Sequence, residues 1–393
     1  MGDALEFDPY AYEVHEDPYP LYARLRAEAP VHRNETLDFF ALSRHADVLA
    51  AFRDTRSFSN AWGVSLDPAA WSPMARLYMS FLGMDPPEHT RMRGLVARGF
   101  TPRRVAALEA RIREIATEHL DPLVGSGGFD VITDFAGKLP MDVISEMLGV
   151  AKADRAELRR LADLLVHRDE GVQDVPAEGV EAFGKLRAYF QDLIATRRAR
   201  PGEDLLSALL AAEPGGDRLD DDEILSFCNL MIVAGNETTT KLLATALYWL
   251  WRNPEQRRLV EDDRSLIPGW VEETLRYDNS TQMLARRVAA DVEVRGTKLR
   301  EGDRVLLMVG SGNRDEDVFP DADRYDIRRD TSEMLSFGRG AHFCMGAALA
   351  RLEARVAFEE WWPRFADYEI EPAGAVRVHS VNVRGFAALP VKV

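Results

Sequence analysis

The chain has 393 residues, of which 49 are Lys or Arg and 65 are Asp or Glu, so its formal net charge is −16. An acid excess of this size argues against a nucleic-acid-binding surface and for a soluble cytoplasmic protein. The two cysteines, Cys228 and Cys344, are too few and too far apart for a disulfide framework or a paired-cysteine metal site.

The first residues, Met1-Gly2-Asp3-Ala4-Leu5-Glu6, read as neither a signal peptide nor, with Glu at position 6, a myristoylation site. No membrane anchor is expected, because the longest apolar stretch is broken by Asn236, Glu237 and Lys241. Helical periodicity predicts helices over 19–29, 45–52, 103–123, 141–148, 152–165, 182–198 and 205–212. Alternating, Val-rich pieces predict strands at 39–42, 292–294, 304–308 and near 376–381. Pro86-Pro87 and Pro214-Gly215-Gly216 read as turns between helices. No repeat, low-complexity tract or linker divides the chain, so one mixed, mainly α domain over 1–393 with small β-sheets is expected. Residues 62–82 carry Trp62, Trp71, Met74, Phe81 and Leu82, a composition suited to a mobile apolar lid.

The longest helix should begin at Asp220, whose side chain can cap while Glu223 reaches back, and end near Arg252, before Asn253-Pro254. Such a helix spans roughly 45–50 Å. Cys228 on it reads as a small buried hydrophobe. Its middle, Ala234-Gly235-Asn236-Glu237-Thr238-Thr239-Thr240, is poor helix material. Glycine costs roughly 0.5–1 kcal/mol there, and three β-branched residues add to it. The Thr238 hydroxyl can compete for the Ala234 carbonyl and open the helix locally. Gly235 lets another molecule approach the backbone, and the Glu237 carboxylate needs a partner, water or a chemical role. Further on, Glu273 and Arg276 stand three apart on one helical face. Near the C-terminus, Cys344 lies between a glycine-rich turn and an apolar segment, 346–357, that reads as a helix. The positive end of that helix and its free N–H groups favour a thiolate.

The run Phe337-Gly338-Arg339-Gly340-Ala341-His342-Phe343-Cys344-Met345-Gly346 resembles the haem-binding loop of the cytochrome P450 family, Phe-Gly-x-Gly-x-His-x-Cys-x-Gly, at every fixed position. The mid-helix run resembles the family's Ala-Gly-x-(Asp/Glu)-Thr-Thr signature, and Glu273 with Arg276 its Glu-x-x-Arg motif. The likeness extends from Asp17-Pro18-Tyr19-Pro20 to the closing Arg384-Gly385-Phe386-Ala387-Ala388-Leu389-Pro390. It implies a mainly α cytochrome P450 fold, a triangular helical domain with haem b between the long central helix and the helix after Cys344.

On the same resemblance, Cys344 is the iron ligand, and Phe337, Gly340 and Gly346 shield and surround its sulfur. His89, Arg93, Arg287 and His342 would hold the haem propionates, with Arg287 at the start of a strand-like Arg287-Val288-Ala289 and Arg286 able to exchange roles with it. Ala234 and Gly235 would form the dioxygen groove, with Glu237 and Thr238 the acid and alcohol of a proton relay. Glu273 and Arg276 would be a buried structural pair. Leu230, Val233, Ala234, Met283, Leu284, Asn382 and Val383 would wall a substrate pocket, Asn382 and Gln282 offering a hydrogen bond. After Arg276 the polar run Tyr277-Asp278-Asn279-Ser280-Thr281-Gln282 departs from many relatives.

The implied activity is that of a haem-thiolate monooxygenase inserting one oxygen atom from O2 into a C–H or C=C bond of a lipophilic small molecule. Electrons would come from NAD(P)H through a ferredoxin or flavodoxin and its reductase, docked on Arg98, Arg103, Arg104, Arg339 and Arg351 of a monomer. The alternatives are a peroxide-driven peroxygenase and a non-catalytic haem sensor.

Overall fold

The computed structural model describes residues 5–211 and 218–393. The turn read at Pro214-Gly215-Gly216 and the first four residues lie outside the described residues. The centre of the fold is the helix Asp221–Arg252, capped by Asp220 and Glu223 in a reciprocal capping box and followed by Asn253-Pro254. Its side chains are buried on nearly all sides, since helices Leu139–Leu148, Arg155–Val166, Ala177–Ala199, Ile267–Tyr277 and Ala347–Phe365 pack around it. A helix so surrounded is held by its packing, which outweighs the poor propensity of residues 234–240.

Most other helices fall where periodicity places them, including Tyr19–Glu28, His45–Arg53 and Leu139–Leu148. The segment expected as one helix over 103–123 divides at Leu108 into Pro102–Ala107 and Glu109–Leu120. Helices Pro254–Asp262 and Ile267–Tyr277 were not predicted over their full length. Among the described residues no helix is long and apolar enough to cross a membrane.

A five-stranded sheet lies beside the helices, in the spatial order Val31–Asn34, Phe39–Leu42, Arg304–Leu307, Leu284–Val288, Phe58–Ser59. Phe39–Leu42 and Arg304–Leu307 are parallel, and the other neighbours are antiparallel. Side chains alternate between two buried faces. One face packs Phe39, Ala41, Ala285 and Leu306 against Phe7, Tyr22 and Leu25. The other packs Leu42, Val288, Val305 and Leu307 against Val48 and Phe52.

Candidate active site

Cys344 lies between the short turn Gly340–His342 and the helix Ala347–Phe365. Its N–H donates to the Phe337 carbonyl at 2.8 Å, which closes the loop. The N–H groups of Gly346 and Ala347 face the sulfur, the arrangement expected at a helix start. Burial nevertheless outweighs these donors and the charges of Arg93 and Arg351, and it leaves the thiol above its ordinary value. The donors thus act in the expected direction, toward the thiolate, and burial opposes them. Ionisation here calls for a bound cation, since a coordinating thiol is deprotonated outright. Gly340 fits the tight loop expected of it. Its φ is +70° and a β-carbon would lie 2.7 Å from the Phe52 carbonyl oxygen, so glycine is demanded by the packing of the loop on residue 52.

The loop is anchored from behind. Arg276 donates to both carboxylate oxygens of Glu273 at 2.7 Å, with both side chains fully buried, and to the carbonyls of Asn313 and Ala322. Asn313 accepts the Leu335 N–H at 2.7 Å and donates to the Ser336 hydroxyl at 2.8 Å. The ion pair therefore reaches the cysteine loop through two hydrogen-bonded steps.

The Cys344 sulfur is exposed to a cavity enclosing about 1420 Å³ of empty space, its mouth included, while the protein surrounds the residue on its other sides. Leu230, Ala234, Gly235 and Thr238 of the central helix line the opposite wall. The Thr238 hydroxyl donates to the Ala234 carbonyl at 3.0 Å, as its spacing predicts. The helix is nevertheless continuous through this run, so the expected opening does not occur. Ser280 braces it by donating to the Thr238 carbonyl at 2.8 Å. Glu237 does not line the cavity. It is buried on another face of the helix, with its Oε2 3.3 Å from Lys241 Nζ and its Oε1 accepting from Asn236 Nδ2 at 3.2 Å.

A basic cluster occupies one side of the cavity. Arg93 and His342 line it, and the His89 ring lies 4.1 Å from that of His342. Both nitrogens of each histidine are buried without a hydrogen-bond partner among the described residues. Burial, helped by Arg93, lowers His89 to about 4, and burial with Arg286 lowers His342 further, so both rings are neutral. Arg286 is the second arginine of the cluster. The strand was expected to begin at Arg287 but runs Leu284–Val288, which puts Leu284 and Arg286 on the cavity face. Arg287 lies on the other face, its guanidinium 5.3 Å from the Trp62 ring centroid, so its expected place in the cavity is corrected to Arg286. Arg286 is buried with only the neighbouring Ala285 carbonyl as acceptor among the described residues, and burial pulls it down to about 10.

The pocket expectation divides. Leu230, Ala234 and Leu284 line the cavity, whereas Val233, Met283, Asn382 and Val383 do not. Asn382 spends its amide on the Val64 and Met283 carbonyls, and Gln282 donates to the Asn279 carbonyl. Neither lines the cavity, although Gln282 Oε1 is buried without a partner among the described residues. The polar run after Arg276 is consumed similarly: Asp278 accepts from Tyr19, Trp249 and Arg384, and Ser280 binds Thr238. Asn279, Ser280 and Thr281 also line the cavity, as does Phe337.

Glu353 was missed. It lies nine residues past Cys344 and lines the cavity with one buried, unpartnered oxygen; burial raises it to about 8. A glutamate within the apolar stretch 347–358 was the signal that could have found it. Of the proposed docking arginines, Arg98, Arg103 and Arg104 are exposed. Arg351 is engaged by both oxygens of Glu272 and lies over the Phe337 ring, and Arg339 donates to the Ser332 carbonyl.

Residues 180–367 match the family model for cytochrome P450. The chain is 55% identical to cytochrome P450 123 of Mycobacterium tuberculosis over 395 residues, covering 100% of this chain and 98% of that protein. The chain belongs to the cytochrome P450 family. It is 41% identical to the vitamin D(3) 25-hydroxylase of Pseudonocardia autotrophica, over 98% of this P450 and 96% of that protein. Its fold superposes on CYP109E1 of Bacillus megaterium in complex with testosterone, with a TM-score of 0.89 and 31% identity, over 97% of this chain and 99% of that one. The protein is thus a haem-thiolate monooxygenase of small lipophilic molecules with the P450 fold.

The residues present fit a haem. An apolar cavity separates one sulfur from the central helix, and its basic side offers two buried neutral histidines and two buried or half-buried arginines. Arg93 donates to the Phe343 carbonyl and forms no ion pair among the described residues, nor does Arg286. Donors gathered without an anion suit the carboxylates of a propionate-bearing group.

Proposed function

We propose that this P450 consumes O2, two electrons and two protons per turnover, RH + O2 + 2e⁻ + 2H⁺ → ROH + H2O, on a lipophilic substrate held in the cavity between Thr238 and Cys344. The observation that carries this reading is one apolar cavity bordered by the Cys344 sulfur, the Thr238 hydroxyl and a basic cluster with no anionic partner among the described residues. Bound haem b would supply the activation of O2 and the transfer of one oxygen atom.

The chain's own residues would do the rest. Cys344 would ligate the iron, with Gly346 and Ala347 N–H groups tempering the sulfur's charge and Phe337 shielding it. His89, Arg93, His342 and Arg286 would hold the propionates. Ala234 and Gly235 would leave room above the cofactor, and Thr238 would present a hydroxyl to the reacting oxygen while Glu237 supplies protons. Leu230 and Leu284 would exclude water from one end of the substrate, while Thr281 offers it a single polar contact. The vitamin D(3) and testosterone in the names of two relatives suit the apolar lining that Leu230, Leu242 and Leu284 give this cavity.

Electrons would come from NAD(P)H through a ferredoxin and its reductase, docked beside Arg98, Arg103 and Arg104, with the enzyme a cytoplasmic monomer folded as one domain. Reversing those three charges should slow reduction at low salt far more than at high salt. The test of the site is the optical spectrum of the reduced protein under carbon monoxide. A strongly red-shifted Soret band that is lost in Cys344→Ser supports the reading. A band kept in that variant would move the ligand elsewhere.

A further inference from the structure

The polar run after Arg276 spends its hydrogen-bonding groups on the protein, with one exception on the cavity wall. Asn279 Nδ2 donates to the Thr281 carbonyl, and Gln282 Nε2 donates to the Asn279 carbonyl at 2.8 Å. The Ser280 hydroxyl is taken by the Thr238 carbonyl at 2.8 Å. The Ser280 carbonyl accepts the Arg384 N–H at 2.8 Å, and the Gln282 N–H goes to the Asn382 carbonyl at 2.9 Å. Thr281 itself pairs with Val383 in an isolated antiparallel bridge. Its half-buried side chain lines the cavity, and its hydroxyl has no hydrogen-bond partner among the described residues. Because the preceding residue is bonded to the Thr238 backbone, this hydroxyl belongs to the Thr238 side of the cavity, across from Cys344. The other lining hydroxyls are Thr238 and Ser336, which donate to the Ala234 and Leu275 carbonyls, and Thr239, which is 4% exposed and turned one helical step from Thr238.

The charges on the wall restrict what can share the space. Among the described lining residues the cations are Arg93 and Arg286, since burial keeps His342 neutral. Two haem propionates engage two arginines, which leaves no cation for a further carboxylate. A carboxylate on the substrate would therefore be buried without a counter-ion, at a cost of several kcal/mol. A hydroxyl both donates and accepts, so Thr281 can meet a carbonyl, an alcohol or an ether oxygen.

We propose that the substrate is a neutral lipophile bearing an uncharged oxygen function that hydrogen-bonds the Thr281 hydroxyl, and that carboxylates of the same skeleton are rejected. This rests on the reading of the cavity as the substrate site of the haem-loaded enzyme. Thr281 is then a specificity-determining residue, which fixes the oxygen-bearing part of the substrate beside Thr238. The bonds that hold residues 279–282 from both sides set its position before the substrate arrives, which lowers the cost of ordering on binding.

The test titrates haem-loaded wild type, Thr281→Val, Thr281→Ser and Thr239→Val at pH 7, following the spin-state shift and, independently, the heat of binding. One matched series is androstane with its terminal monoketones and terminal carboxylic acids; the other is dodecane, the corresponding methyl ketone and dodecanoic acid. In wild type a ketone should bind about a hundredfold more tightly than the carboxylate of the same skeleton. The preference for ketone over hydrocarbon should fall about fivefold in Thr281→Val, which keeps the shape and removes the hydroxyl. It should persist in Thr281→Ser, which loss of packing alone would not explain, and in Thr239→Val. A carboxylate that binds within about tenfold of its ketone overturns the proposal. So does a preference unchanged in Thr281→Val, or one lost in Thr239→Val instead. If no member of either series binds while the reduced protein under carbon monoxide keeps its red-shifted band, the reading of the cavity as a lipophile site falls, and this proposal with it. That band reports on Cys344 alone, so failure of the ligand assignment is told apart from failure at Thr281.

Discussion

Glu353 is a buried acid with no ion-pair partner among the described residues, and its protonation couples the stability of the fold to pH. Its folded value, about 8, lies above the ordinary glutamate value of 4.5, so the native state holds a proton that the unfolded state releases. Its contribution is therefore fully present below about pH 4.5 and is lost as the pH rises toward 8. Glu353→Gln keeps the shape and removes the titration, so its melting temperature should fall less than that of wild type between pH 5 and 8. The difference should correspond to on the order of 1–4 kcal/mol. Equal slopes would show that Glu353 stays ionised. Thr238→Ala removes the hydroxyl that donates to the Ala234 carbonyl at 3.0 Å. It should retain haem but divert most reducing equivalents to hydrogen peroxide, measured as peroxide formed per NAD(P)H consumed; tight coupling would count against the alcohol role. These two residues differ in how readable they were. Thr238 stands in a run whose helix-breaking composition is local and visible, whereas Glu353 gains its character only from the walls that fold around it.

At the scale of elements, the central helix was readable at both ends because caps are local. Asp220, Glu223 and Asn253-Pro254 act within one turn of themselves. Asp220→Ala should cost about 1 kcal/mol in urea unfolding, with the helix and the haem site intact. The interior of the helix misled, since residues 234–240 predict a local opening that surrounding helices suppress. The strand Leu284–Val288 shows how little error is needed to misplace a charge. Starting it three residues late detached Arg286 from Leu284, although the two share a face. Because side chains alternate with period two, the assignment moved to Arg287, which meets Trp62 instead.

At the scale of the molecule, two buried ionic centres tie distant segments together. Asp278 gathers Tyr19 from near the N-terminus, Trp249 from the end of the central helix and Arg384 from near the C-terminus. Arg276 joins Glu273 to the carbonyls of residues 313 and 322 and so supports the cysteine loop. Arg276→Met leaves Glu273 buried with only the longer Arg329 contact, at 3.4 Å, as an ion-pair partner. It should destabilise the protein by about 3–5 kcal/mol in chemical denaturation and lower haem retention. Unchanged stability would mean that Glu273 is protonated or hydrated there. By itself the sequence determined the cysteine loop, the central helix with its ends, the Glu273–Arg276 pair and the mainly helical class, because each is encoded in residues close along the chain. Only the tertiary structure decided that Arg286 faces the cavity, that Glu237 is buried away from it, and that Glu353 lines it. Those outcomes depend on strand phase, on which helix packs against which face, and on burial, and all three arise from contacts between residues far apart in the chain.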